Sequence, residues 1–105
     1  MAMIEVIKGS YFERAFTFTA AGTADDPDVV KFGIEEPSST ETIYTYGTDA
    51  EITKDSTGVY QVRVQMNDEL GAHKYTCAAQ WTSGTLGVVQ VQGVINVVPA
   101  FVDVV

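Results

Sequence analysis

DSTGVYQVRVQMNDELGAHKYTCAAQW, residues 55–81, is a turn signal followed by two runs of period-two alternation. Asp55, Ser56, Thr57 and Gly58 supply the turn. Beyond it, Tyr60, Val62, Val64 and Met66 fall on one side of an extended chain and Val59, Gln61, Arg63 and Gln65 on the other, the pattern of a strand with one buried face. Asn67 through Gly71 break the pattern. It resumes with His73, Tyr75, Cys77, Ala79 and Trp81 opposed to Ala72, Lys74, Thr76, Ala78 and Gln80. Two long half-buried strands in succession predict an antiparallel β-sandwich, and no helical period competes with them elsewhere in the chain.

Working outward, Met3 to Lys8 is a short alternating strand stopped by Gly9-Ser10. Tyr11 to Ala20 is a second, with Phe12, Phe16, Phe18 and Ala20 on one face. Arg14 interrupts that face, and two dispositions suit it: a stem packed at the sheet edge with the head in water, or a pair with a carboxylate. Ala21 to Pro27 is a loop by composition, and Asp28 to Glu36 is a strand with Val30, Phe32 and Ile34 inward, closed by Pro37. Glu41 to Gly47 reads as a shorter strand, and Ala50 to Thr53 as a short edge segment. A turn at Ser83-Gly84 leads into a last run, Leu86 to Val98, with Val89, Val91, Ile95 and Val97 inward. Gly93 lies on that same face, where it marks a bulge or the close approach of another backbone.

About seven strands, spaced by turn signals at roughly ten residues, predict an all-β, immunoglobulin-like antiparallel sandwich over residues 1–99, with a small barrel as the alternative. Pro99 ends the last strand. Residues 100–105 then form an apolar tail, and Phe101, Val102, Val104 and Val105 are expected to fold back on the domain or to dock on a neighbour, because an exposed apolar strand invites aggregation.

The 105 residues hold one domain, long enough to bury a core without disulfides or metal. Hydrophobic residues at 46% and charged residues at 19% are the balance of a folded chain. Six basic against fourteen acidic residues give a net charge of −8, which argues against a partner bound through nucleic-acid phosphates and favours basic surfaces. Cys77 is the single cysteine, so no internal disulfide forms and folding in a reducing cytoplasm is expected. Met1 to Glu5 has neither the basic region nor the apolar run of a signal peptide, and no stretch reaches the length of a membrane span, so no membrane partner is expected.

Candidate chemistry is sparse. Asp25, Asp26 and Asp28, with Glu35 and Glu36, offer oxygen ligands of the kind calcium takes, but Pro27 breaks the run and no spaced loop signature accompanies it, so a solvated acidic loop is expected and no metal is assigned. His73 is the only histidine, which leaves zinc without a ligand set; it reads as a strand residue near the sheet end. No glycine-flanked nucleophile turn is present, so no catalytic residue and no cofactor is assigned, and no enzymatic activity is expected. Tyr44, Tyr46 and Trp81, with Tyr11, are the aromatics from which a glycan-stacking platform could be built; core packing is the competing role. Tyr75-Thr-Cys77-Ala-Ala-Gln-Trp81 has the look of an antibody-type cysteine strand, yet Phe16 and Phe18 stand where its disulfide partner would be. Cys77 is therefore read as a small buried apolar residue and Tyr60 as a corner tyrosine bonded to the turn before it.

Asp26-Pro27-Asp28-Val29-Val30-Lys31-Phe32, Glu36-Pro37, Tyr46-Gly47, Lys54-Asp55-Ser56-Thr57-Gly58-Val59-Tyr60 and Gly71-Ala72-His73-Lys74-Tyr75, followed by a valine-rich strand, occur in an order that resembles a family of small immunoglobulin-like virion proteins of tailed phages and prophages. The resemblance covers nearly the whole chain except the segment after Pro99. It implies a non-enzymatic structural protein, assembled in the host cytoplasm into the virion, on the capsid as a decoration or at the neck or tail. Its partners would be other virion proteins and, as a homo-oligomer, itself. A carbohydrate-binding or adhesion module is the alternative.

Overall fold

A computed structural model describes residues 3–66, 69–81 and 88–99. The turn assigned to Ser83-Gly84 and the tail residues Phe101, Val102, Val104 and Val105 lie outside them. The strands are β1 (Met3–Ile7), β2 (Tyr11–Thr17), β3 (Thr19–Ala20), β4 (Thr23–Ala24), β5 (Val29–Glu35), β6 (Glu41–Thr45), β7 (Ile52–Ser56), β8 (Val59–Gln65), β9 (Gly71–Gln80) and β10 (Val88–Val98). They form a five-stranded sheet in the order β1-β10-β9-β5-β6, a three-stranded sheet in the order β2-β8-β7, and a two-stranded ribbon of β3 and β4. The two larger sheets face each other across one apolar core, so the expected all-β sandwich without a disulfide is present, with Cys77 free and buried.

The alternation that predicted β8 and β9 is the alternation that buries them. Tyr60, Val62, Val64 and Met66 on one run, and His73, Tyr75, Cys77, Ala79 and Trp81 on the other, are all buried. Opposite them, Val30, Phe32 and Ile34 of β5 and Phe12 and Phe16 of β2 complete the layer. Four rings meet at its centre: Phe12 and Phe32 are stacked at 5.8 Å, and Tyr75 lies 5.4, 5.5 and 6.2 Å from Phe12, Phe32 and Phe16. Aromatic pairs at these separations add about 0.5–1.5 kcal/mol each beyond the area they bury.

Several local features differ from expectation. The second strand does not run on to Ala20: it breaks at Phe18, whose N–H bonds to the Gly58 carbonyl and whose own carbonyl accepts from Asp25. Thr19 to Ala24 then form a ribbon turning at Ala21 and Gly22, both at positive φ, the backbone that a two-residue hairpin turn demands. Among the described residues the strands number ten, two of them this ribbon, which is cut from residues read as strand end and loop. The first strand pairs with β10 in parallel, Met3 opposite Val94 through Ile7 opposite Val98, while every other ladder is antiparallel. Alternation in sequence reports burial and carries no strand direction, so the sequence could not show this.

Arg14 forms no ion pair with a described carboxylate, and of the edge disposition it keeps only part: it lies on an outer strand with its head half-buried. It points inward from β2, donates to the Tyr75 hydroxyl, and holds its guanidinium 5.0 Å from the centre of the Phe16 ring and 5.9 Å from that of Tyr75. Gly93 does mark a close approach, but of a side chain and with an unbroken register: it lies directly opposite Tyr75 on the neighbouring strand. A Cβ at Gly93 would fall 2.4 Å from the Tyr75 Cζ and hydroxyl oxygen. Tyr75 cannot swing aside, being 1% exposed, ringed by three phenylalanines and tied to Arg14. Gly93→Ala is therefore expected to destabilise the fold by about 1–3 kcal/mol, the cost of overpacking a rigid core. In urea denaturation, Tyr75→Leu should remove most of that penalty when the two changes are combined; additive effects would disprove the steric coupling.

Candidate functional site

The acidic loop, expected to be solvated, is instead an internal staple through Asp25 and Asp26. Asp26 accepts from the Gly58 N–H at 2.7 Å and from the Tyr60 hydroxyl at 3.3 Å through Oδ1, and pairs with Lys54 at 2.6 Å through Oδ2. Asp25 Oδ2 accepts the Trp81 indole N–H at 2.8 Å, and the Asp28 N–H bonds to the Gln80 carbonyl at 2.9 Å. Pro27 between them is buried. The loop thereby ties the start of β5 to the β7–β8 turn and to the end of β9, closing one end of the sandwich. Among the described residues no group of three or more potential ligands gathers to hold a metal ion.

Gly58 is required where the staple meets the turn. Its φ is +73°, and a Cβ there would stand 2.6 Å from the Phe18 carbonyl oxygen and 2.8 Å from the Asp25 nitrogen, both of them backbone atoms. Tyr60 does serve as a bonded tyrosine, but its hydroxyl reaches Asp26 across the sandwich and not its own preceding turn. Burial, with the Asp26 carboxylate beside it, pushes the Tyr60 phenol up to about 12.

The aromatic platform does not assemble. Trp81 is 8% exposed, set edge-on against Phe18 at 6.5 Å, with its N–H already taken by Asp25. Tyr44 is half-buried and packs against the core. Tyr46 packs edge-on against Tyr60 at 5.1 Å and is 40% exposed. Tyr11, also exposed, carries the Arg63 guanidinium 3.9 Å above its ring. These side chains supply no common stacking surface, because alternation puts Trp81 and Tyr44 on the inner face of their sheet.

His73 and Cys77 are fully buried. Nδ1 of His73 is 3.0 Å from the Gly71 carbonyl oxygen, and Nε2 has no partner among the described residues. His73 is thus a strand residue near the sheet end, as expected, third in β9, and its inward position there buries it fully. Burial pushes the Cys77 thiol up to about 12, so it stays protonated and unreactive. On the outer face of the larger sheet, a shallow depression of about 350 Å³ lies over Gly33 between Ile43 and Thr76.

What remains uncommitted is backbone. β2 pairs with β8 on one side and has no strand on the other among the described residues. The bonds from Met66 N–H to the Ser10 carbonyl, and from Phe18 N–H to the Gly58 carbonyl, frame that ladder. Its alternation leaves Tyr11, Glu13, Ala15 and Thr17 with N–H and C=O groups facing away from β8. Of the other outer strands, β6 has its Thr45 N–H taken by the Asp49 carboxylate at 2.8 Å and β7 has a register slip between Lys54 and Ser56, while the shorter β1 also has a strand on one side alone among the described residues. No sequence signal separated β2 from the other strands in this respect, since edge position depends on sheet order. Comparison with protein-family models, with curated proteins and with solved structures gives no match.

The Lys54 ammonium and the Gly58 N–H hold the Asp26 carboxyl below its usual range. The folded chain therefore binds this proton more weakly than the unfolded chain does. The stabilisation is present above the unfolded carboxylate value of about 3.9 and is lost as pH falls through the lower folded one. Thermal unfolding midpoints measured from pH 7 to pH 2 should fall in the acid range, and Asp26→Asn should lower the neutral-pH midpoint while flattening part of that acid limb. Cys77 should resist iodoacetamide in the folded chain and react once denaturant is added; labelling at equal rates in both conditions would contradict its burial.

Proposed function

We propose that this chain is a non-enzymatic structural module of a tailed-phage particle, an immunoglobulin-like sandwich attached to the capsid as a decoration, or to the neck or tail, through edge-strand and terminal contacts. One observation carries the reading: the candidate side chains Asp25, Asp26 and Trp81 are occupied in packing and internal bonds, while the seven-residue strand β2 has an edge without a partner strand among the described residues. Open edges serve recognition by accepting a partner strand through main-chain hydrogen bonds.

The immunoglobulin-like description is supported by strand order. β10-β9-β5-β6 facing β2-β8-β7 follows the G-F-C-C′ and B-E-D arrangement of such sandwiches, with β1 beside β10. The Asp26-Pro27-Asp28 loop and the Lys54 to Tyr60 turn, two of the segments that resemble the phage family, meet in the Asp26 staple, so the resemblance falls on residues that organise the fold. Partners are other virion proteins, met during assembly in the host cytoplasm. The net charge of −8 favours basic faces on them.

The test is particle incorporation. The chain should co-purify with assembled particles in fixed stoichiometry, and removal of residues 100–105 should release it into the soluble fraction. Absence from purified particles would overturn the virion reading; full incorporation of the shortened chain would overturn the role of the tail alone.

A further inference from the structure

We propose that the open edge of β2 accepts residues 101–105 of a second copy of this chain, with Asp103 of the incoming segment against Arg14. The proposal rests on the attachment reading above and specifies its contact.

The acceptor is defined by β2. Its inward side chains are Phe12, Arg14 and Phe16, an apolar–cationic–apolar series at alternate positions. Arg14 is half-buried, donates to the Tyr75 hydroxyl, and forms no ion pair with any described carboxylate. Its other guanidinium donors have no partner among the described residues and are not sealed from solvent. A cation left without a counter-charge in a chain of net charge −8, beside unpaired backbone, fits an extended segment that brings one carboxylate between two apolar side chains.

Residues 101–105 are Phe-Val-Asp-Val-Val, and they lie outside the described residues. In an extended segment Phe101, Asp103 and Val105 share one side, an apolar–anionic–apolar series of the same period. Phe12 and Phe16 are already buried in the core, so the match is one of charge: Asp103 is central in its series and Arg14 in the other, and the two meet in either strand direction. The segment's main chain would satisfy the outward N–H and C=O groups of Glu13 and Ala15.

Topology favours a second copy over the chain's own segment. The Tyr75 ring of β9 meets Phe12, Phe16 and Arg14, whereas Tyr60 of β8 and Lys54 of β7 meet Tyr46 and Asp26 beside β6 and β5. The free edge of β2 therefore opens on the flank occupied by β10 and β1. β1 is the outer strand there, and residues 8–10 carry the chain across from it to β2, with the Lys8 N–H bonded to the Val98 carbonyl. The five residues from Val98 to Asp103 span at most about 18 Å, and β1 with residues 8–10 stands on the flank between the end of β10 and the free edge of β2. A tail given to one neighbour and an edge offered to another make a head-to-tail contact, which closes into a ring or extends as a filament.

The experiment is sedimentation velocity on the full-length chain up to millimolar concentration, with two variants. Asp103→Lys sets a cation against Arg14, and Ala15→Pro removes an edge N–H that β8 does not use. The unaltered chain should self-associate, and each variant alone should do so about tenfold more weakly or worse, with its thermal midpoint close to that of the unaltered chain. Mixing the two variants should restore a one-to-one complex, because one retains an intact tail and the other an intact edge. Three results would each overturn the proposal: no self-association of the unaltered chain, no complementation in the mixture, or association unchanged by both variants. A chain that fails here yet co-purifies with particles keeps the attachment reading and loses only this contact.

Discussion

The sandwich depends on one ring lying across a strand that has no side chain to meet it. Tyr75 spans the inner face of the larger sheet, covers Gly93 on the adjacent strand, and presents its hydroxyl to Arg14 from the other sheet. Phe12, Phe16 and Phe32 pack around it. The ring fixes the separation of the sheets, the identity of residue 93, and the inward pose of an arginine that would otherwise be costly in a core. A cation is tolerable there because two aromatic faces and a hydroxyl replace part of its hydration.

A second device closes one end. Asp25 and Asp26 together draw in an indole from the end of β9, an ammonium from β7, a main-chain N–H from the β7–β8 turn and a phenol from β8. Two neighbouring carboxylates in a loop look like a cation site in sequence, because sequence reports the donors and omits their partners. Here those partners come from residues 54, 58, 60 and 81, at sequence separations of 28 or more. Lys54 and Tyr60 flank the turn signalled by Asp55 to Gly58, which the structure narrows to Thr57 and Gly58 because β7 runs on to Ser56, and nothing in that turn indicates which loop it meets.

Much of the fold was legible because burial and period two coincide in β5, β8 and β9, where each inward residue named from the sequence is buried. Legibility failed where long-range geometry decides. Trp81 and Tyr44 were open to a surface role until sheet pairing set them inward, and Arg14 interrupted an apolar face for a reason that only its contact with Tyr75 supplies. The open edge of β2 was invisible for the same cause: sheet order is a property of pairings, and β2 in sequence is as regular as β8.

The parallel pairing of β1 with β10 has a kinetic side. Residues 3–7 find their partners at 94–98, so β1 stays unmatched until the rest of the sandwich has been made. Pairings of such sequence separation form late and slowly, since the closure of a long loop precedes any gain from it. The β2–β8 and β5–β9 ladders, whose partners are fully synthesised by Gln80, can assemble first and leave the β10 flank of the larger sheet to be completed afterwards. A flank completed last is also the flank beside the open edge of β2, so this side of the molecule matures only when the segment that follows β10 is itself emerging.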